Sequence, residues 1–120
     1  MIHYHGGPCP GNAESQVKFF RHRDALLSYA NRKKVSAEVI FDICRSFILD
    51  NGAFTYWKNN EEPKWDDFYC WVENYRFHPR FQWFLVPDII GGSVEENNKQ
   101  LVICPMPINI TVPVFHVGEP

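Results

Sequence analysis

The chain has 120 residues, 45% hydrophobic and 16% aromatic, which is enough for one domain and too apolar for a disordered chain. A formal net charge of -2 and a pI of about 6.2 exclude a general electrostatic pull towards nucleic acid, though a local basic patch stays open. The sequence shows no signal peptide, no long apolar segment and no lipidation motif, so the expectation is a cytoplasmic protein without a membrane partner.

The four cysteines, Cys9, Cys44, Cys70 and Cys104, form no Cys-x-x-Cys pair. Cys44 and Cys70 fall in predicted helices with apolar neighbours and are expected to be buried thiols.

In chain order, Ile2-His3-Tyr4-His5 is a short strand candidate closed by Gly6-Gly7-Pro8. Asn12 can cap a helix through Phe20, and Ala25 to Ala30 reads as a second strand. Ser36 can cap a helix over Ala37 to Cys44, where Val39, Ile40 and Ile43 have helical spacing. Phe47-Ile48-Leu49-Asp50 is a third strand, an apolar run suited to burial on both faces. It breaks at Asp50-Asn51-Gly52, where Gly52 can take a positive φ.

A loop is expected over Ala53 to Lys64. Trp65, Phe68, Val72 and Tyr75 then mark one face of a helix, with Asp66 and Asp67 favourable in its first turn, and His78-Pro79 ends it. Trp83 to Ile90 reads as a fourth strand with Asp88 near its end. Ser93-Val94-Glu95-Glu96 fits a capping box opening a helix to about Ile103, and Thr111 to Val117 is a fifth strand.

Strand and helix alternate four times before the last strand. The pattern predicts one α/β domain over residues 1–120, with repeated βα units and a parallel sheet. A fifth strand with nothing after it fits either a small open domain or the first part of a barrel cut off after strand five. Strand order separates them: 1-2-3-4-5 for half of a TIM-type (β/α)8 barrel, 2-1-3-4-5 for a complete flavodoxin-like binding module.

Asp50, Asp88 and His116 all fall at or near the ends of predicted strands, where parallel sheets place their chemistry. If the strands are neighbours, the side chains line one cup. Two carboxylates there suit a ligand with a row of N–H donors, such as the edge of a guanine-like base, or acid/base work in which proximity drives the two pKa values apart. Alternatively, one acid caps a helix and the other bonds loop amides. Phe54, Tyr56 and Trp57 can stack on a flat ligand or pack a loop. His3 and His5, two apart on a strand, face one way; a metal-dependent hydrolase using them as ligands is an alternative. His22 with Arg21 and Arg23 is a basic cluster that can touch phosphate or simply end a helix in solvent.

Leu49-Asp50-Asn51-Gly52-Ala53-Phe54 resembles the Asp-Ser-Gly-Gly-Phe motif of tRNA-guanine transglycosylases and their DNA-modifying deazaguanine relatives. Tyr4-His5-Gly6-Gly7-Pro8, Val86-Pro87-Asp88 and Val112-Pro113-Val114-Phe115-His116 look like segments of phage and bacterial proteins of that superfamily. The resemblance implies the first half of a (β/α)8 barrel, a transferase fold that exchanges guanine for a deazaguanine in tRNA or DNA without a cofactor. It carries the base-pocket role onto Asp50 and suggests Asp88 as the second pocket acid, with Asn51, Gly52, Phe54, His116 and Glu119 around the base. Asn51 and Ala53 depart from the family's Ser and Gly, and His116-Val117-Gly118-Glu119 replaces a Gln-Gly-Gly type segment. The family's nucleophilic Asp belongs to a later strand, beyond Pro120, so the chain is expected to be inactive by itself. A cut barrel exposes sheet edges, so self-association is expected too.

Overall fold

The computed structural model describes residues 4–6, 13–32 and 37–114. Strand β1 is Tyr4–Gly6 and helix α1 is Ala13–Phe20. Strand β2, Asp24–Ser28, leads through a 3₁₀ turn, Tyr29–Asn31, to helix α2, Ala37–Ile43. Strand β3, Ser46–Asp50, is followed by helices α3, Ala53–Lys58, and α4, Trp65–Tyr75. Strand β4, Phe81–Leu85, and helix α5, Val94–Ile103, precede a two-residue strand β5, Thr111–Val112.

The chain is α/β with an all-parallel sheet, and neighbours in sequence are neighbours in space, in the order β1-β2-β3-β4-β5. This is not the 2-1-3-4-5 order of a flavodoxin-like module. β2 and β3 pair along their length, from Asp24 opposite Ser46 to Ser28 opposite Asp50. β3 and β4 pair at Phe47–Phe81 and Leu49–Phe84, with an irregularity between that leaves an additional β4 residue. β5 touches β4 at only Thr111 and Val112.

The side chains of a strand alternate between faces. Ala25 and Leu27 of β2 and Phe47 and Leu49 of β3 all enter one core cluster. The same cluster takes Phe20 from α1, Ile40 and Phe41 from α2, and Phe68 and Val72 from α4. Helices α1, α2 and α4 therefore cover the same face of the sheet. Aromatic packing dominates this core: Phe41 stacks on Phe47 at 3.7 Å between ring centres, and Phe68 meets Phe84 edge-on at 5.9 Å. The alternate residues Asp24, Ser28, Ser46 and Asp50 point to the other face.

Several expectations change. The segment expected to be loop begins with α3, entered through a left-handed Gly52 at its N-cap, just after an Asx-type turn in which the Asn51 side-chain oxygen accepts the Ala53 amide at 2.7 Å. β4 lies earlier than the apolar run suggested. It starts at Phe81, and Gln82 points outwards to solvent, while Pro87, with no N–H to give a ladder, follows its end. Cys44 is buried as expected, but Cys70 is exposed, since it sits on the side of α4 opposite Phe68 and Val72. The expected capping box is present: the Ser93 hydroxyl accepts the Glu96 amide at 3.1 Å, and Glu96 accepts the Ser93 amide at 3.2 Å. Among the described residues, no helix is long and apolar enough to cross a membrane.

Candidate functional site

β3 ends at Asp50, on the face away from the helices because Leu49 before it enters the core. The chain then turns sharply. Gly52 has φ 79°, a left-handed conformation, and sits directly against the turn after β2. A Cβ there would lie 2.8 Å from Ala30 Cβ and 2.9 Å from the Ala30 nitrogen. Gly52→Ala is therefore expected to destabilise the protein by at least about 2 kcal/mol, from backbone strain and overpacking together. Urea denaturation checks this, and a midpoint matching the parent would refute the close approach.

Asn51 is fully buried and ties this turn to the segment after β4. Its Nδ2 donates to the Val86 carbonyl at 2.9 Å, to Asp88 Oδ1 at 2.9 Å and, more loosely, to the Leu85 carbonyl at 3.5 Å. Its amide is occupied by protein partners on both ends, so its task is to position Asp88. That differs from the direct base contact implied by the resemblance. Asp88 is 6% exposed, and α5 is capped by Ser93, so helix capping does not explain this acid.

Asp50 Oδ2 accepts the Gly52 amide at 3.2 Å, so this acid does form the Asx-type turn that the sequence suggests. The turn and the cleft are compatible, because a carboxylate has acceptor positions to spare. Burial pushes the Asp50 carboxyl above its ordinary value, and the negative charge of Asp88 pushes the same way, while the Gly52 amide opposes both. The Ser28 hydroxyl, opposite Asp50 on β2, is close enough to favour the carboxylate but falls short of hydrogen-bond geometry and is buried without a partner among the described residues.

Asp50, Asn51 and Asp88 line one cleft of ≈ 380 Å³ with Phe54, Trp57, Leu85, Ile90 and Val114. Phe54 and Trp57, three apart on α3, are 61% and 57% exposed, with ring centres 5.8 Å apart. They form an aromatic wall beside two acids. An adjoining hollow of ≈ 350 Å³ shares Trp57, Asp88 and Ile90 and adds Glu61 and Glu62.

No family model, curated protein or solved structure matches the chain.

The geometry of the cleft thus carries the functional reading. Of the residues expected at the site, Asp50, Asn51, Phe54 and Asp88 line the cleft together, while Gly52 makes the turn packed against Ala30 and does not line it. His116 and Glu119 lie outside the described residues. So does His3, and for His5 only the backbone of β1 is described. Among the described residues, no group of three His, Cys, Asp or Glu side chains gathers to hold a metal ion.

A second polar cluster, at the amino-terminal ends of the strands, has only partial sequence signal. Asp24 opens β2, is 3% exposed and accepts the Ser46 hydroxyl at 2.6 Å. Arg45 grips its two oxygens, with Nε at 3.0 Å from Oδ1. The Arg21-His22-Arg23 cluster lies at this end too, away from the acidic cleft.

Proposed function

We propose that the cleft between β3 and β4 is a base pocket, and that the chain is the binding half of a transglycosylase-like (β/α)8 barrel that exchanges guanine for a deazaguanine in tRNA or DNA. The observation that carries this reading is the meeting of Asp50 and Asp88, far apart in sequence, in one hollow beside an exposed aromatic pair. Ionised carboxylates only accept hydrogen bonds, and a guanine edge offers adjacent N–H donors while adenine mixes donor with acceptor. Phe54 and Trp57 supply a face for the ring to stack on. Sequential strand order, with the packed helices on one face, agrees with a barrel wall.

Glycosyl transfer by this route needs a carboxylate nucleophile facing the sugar carbon. The reading gives Asp50 and Asp88 to the base, so the 120-residue chain is expected to bind without exchanging. Ligand-observed NMR with guanine, 7-deazaguanine and adenine tests it. The two guanine-like bases are expected to bind, with adenine weaker by a factor of roughly 100 or more, because carboxylates facing an acceptor are left unpaired. Equal signals for all three, or none for guanine, remove the proposal.

The same reading includes self-association. Helix α5 buries no residue, and Val102, Ile103 and Ile108 are 83%, 57% and 89% exposed. Sedimentation velocity is expected to show concentration-dependent growth in size; a single monomer boundary at all concentrations contradicts it.

A further inference from the structure

The amino-terminal rim of the sheet gathers arginines from three successive loops. Arg21 and Arg23 precede β2, Arg45 precedes β3, and Arg76 and Arg80 precede β4. Backbone hydrogen bonds hold these loops side by side: the Arg45 amide donates to the Arg23 carbonyl at 2.8 Å, and the Phe47 amide to the Arg80 carbonyl at 2.9 Å. Neighbouring strands lie about 4.8 Å apart, so these loops bring their arginines to one rim, where the Arg23 guanidinium lies 4.7 Å from the Phe19 ring centre and Arg80 Nη1 donates to the Phe41 carbonyl at 3.4 Å. Arg21, Arg23, Arg45 and Arg80 are exposed.

The acids at this end do not cancel the row. Asp24 is buried beneath Arg45, whose side chain stays 67% exposed. Asp42 faces His78 at 3.4 Å, and Glu73 is bonded to Arg76 at 2.8 Å. Arg21, Arg23 and Arg80 enter no ion pair among the described residues. Into the same rim projects Phe77, 74% exposed, with the Arg76 guanidinium 4.2 Å from its ring centre.

We propose that this rim binds single-stranded nucleic acid, the guanidinium groups taking successive phosphates and Phe77 stacking on a base. Guanidinium forks match phosphate oxygens in pairs, and a lone exposed ring between them suits an unpaired base better than a membrane, which would ask for a broader apolar face. The overall charge of -2 conceals this, because the acids sit mainly elsewhere on the chain. The rim lies at the opposite end of the strands from the acidic cleft and does not rest on the base-pocket reading.

Fluorescence anisotropy of the full chain with a short fluorescein-labelled oligothymidylate tests the proposal. Binding at low salt is expected, and Arg21→Gln with Arg23→Gln should weaken it roughly tenfold and flatten the salt slope by about 1.4, at about 0.7 for each phosphate lost on a single strand. Phe77→Ser should weaken binding by roughly tenfold with the salt slope unchanged, since stacking releases no counterions. Lys99→Gln on α5 should change nothing, and circular dichroism of each variant confirms the fold. The proposal is overturned by any of four results: no binding at low salt, loss on Lys99→Gln as large as on the arginine pair, tighter binding to a duplex of equal length, or binding to phosphatidylserine vesicles with none to the oligonucleotide.

Discussion

Asn51→Asp is expected to lower thermal stability more than any other single-atom exchange in the cleft. The Asn51 amide points its N–H groups at three oxygens: the Val86 carbonyl, Asp88 Oδ1 and the Leu85 carbonyl. Exchanging that nitrogen for a carboxylate oxygen turns three attractions into three repulsions at a buried position. Burying an uncompensated charge costs about 3–5 kcal/mol. In a domain near this size each kcal/mol moves the melting temperature by roughly 4–8 °C, so a fall of at least about 12 °C is expected at neutral pH. The sign of the pH effect follows. The new carboxyl is held above its unfolded value by its neighbours, so the deficit is full above its folded pKa and shrinks as pH falls through it. Differential scanning calorimetry between pH 7 and 5 reads both. A melting temperature within about 2 °C of the parent at pH 7 would mean that the amide does not hold the cleft together.

Asp50→Asn is expected to separate stability from binding. Burial and the Asp88 charge raise the Asp50 carboxyl, so ionising it in the folded protein is unfavourable relative to the unfolded chain. That penalty is full at neutral pH, relaxes as pH falls through the raised folded value, and is gone below the ordinary value of 3.8. Asn keeps the acceptor for the Gly52 amide and removes the charge, so a gain of roughly 0.5–1 kcal/mol in urea denaturation is expected. On the proposed base-pocket reading, guanine affinity is expected to move the other way. Losing a charged acceptor in a sheltered site costs about 1.5–3 kcal/mol, or roughly 10–100-fold in affinity. In the parent protein the same affinity should fall as the solution is acidified, and earlier than for an ordinary aspartate, because the protonated carboxyl presents one acceptor fewer. An Asp50→Asn protein that binds guanine as well as the parent would assign this acid to the turn alone.

Both predictions concern groups that keep polar chemistry inside a cleft. Asn51 bonds to β4's end, and Asp50 faces Asp88 across the gap. The amino-acid order hinted at each residue separately. It showed an acid, an amide and a glycine after an apolar run, and a second acid after another. Nothing in that order shows that Asn51 reaches the carbonyls of Leu85 and Val86, a contact spanning more than thirty positions of chain.

Local rules were readable wherever burial or capping acts over a few residues. The apolar face of α4, the Ser93 capping box and the break at Gly52 come from spacing and turn chemistry that operate within one or two turns of chain. The start of β4 was not readable, because its pairing with β3 begins at Phe81 and its outward Gln82 breaks the apolar run. Helix α3 leaves little local signal for a related reason: its first amide is satisfied by the Asn51 side chain, and its aromatic residues Phe54, Tyr56 and Trp57 have only middling helix propensity. Cys70 is exposed although its neighbours in sequence are apolar, because successive residues of a helix point to different sides.

The alternation of strand and helix, the parallel class of the sheet and the identity of the two acids are legible in the amino-acid order, since periodicity, caps and turns depend on near neighbours. The sequential order of the strands, the hollow that Asp50 and Asp88 share with Phe54 and Trp57, and the three arginine-bearing loops side by side at the other end emerge from the folded chain alone. Those facts depend on which strand pairs with which and on the register of pairing. Register is fixed by packing between distant segments, and a slip of one residue in β3 would turn Asp50 to the other face.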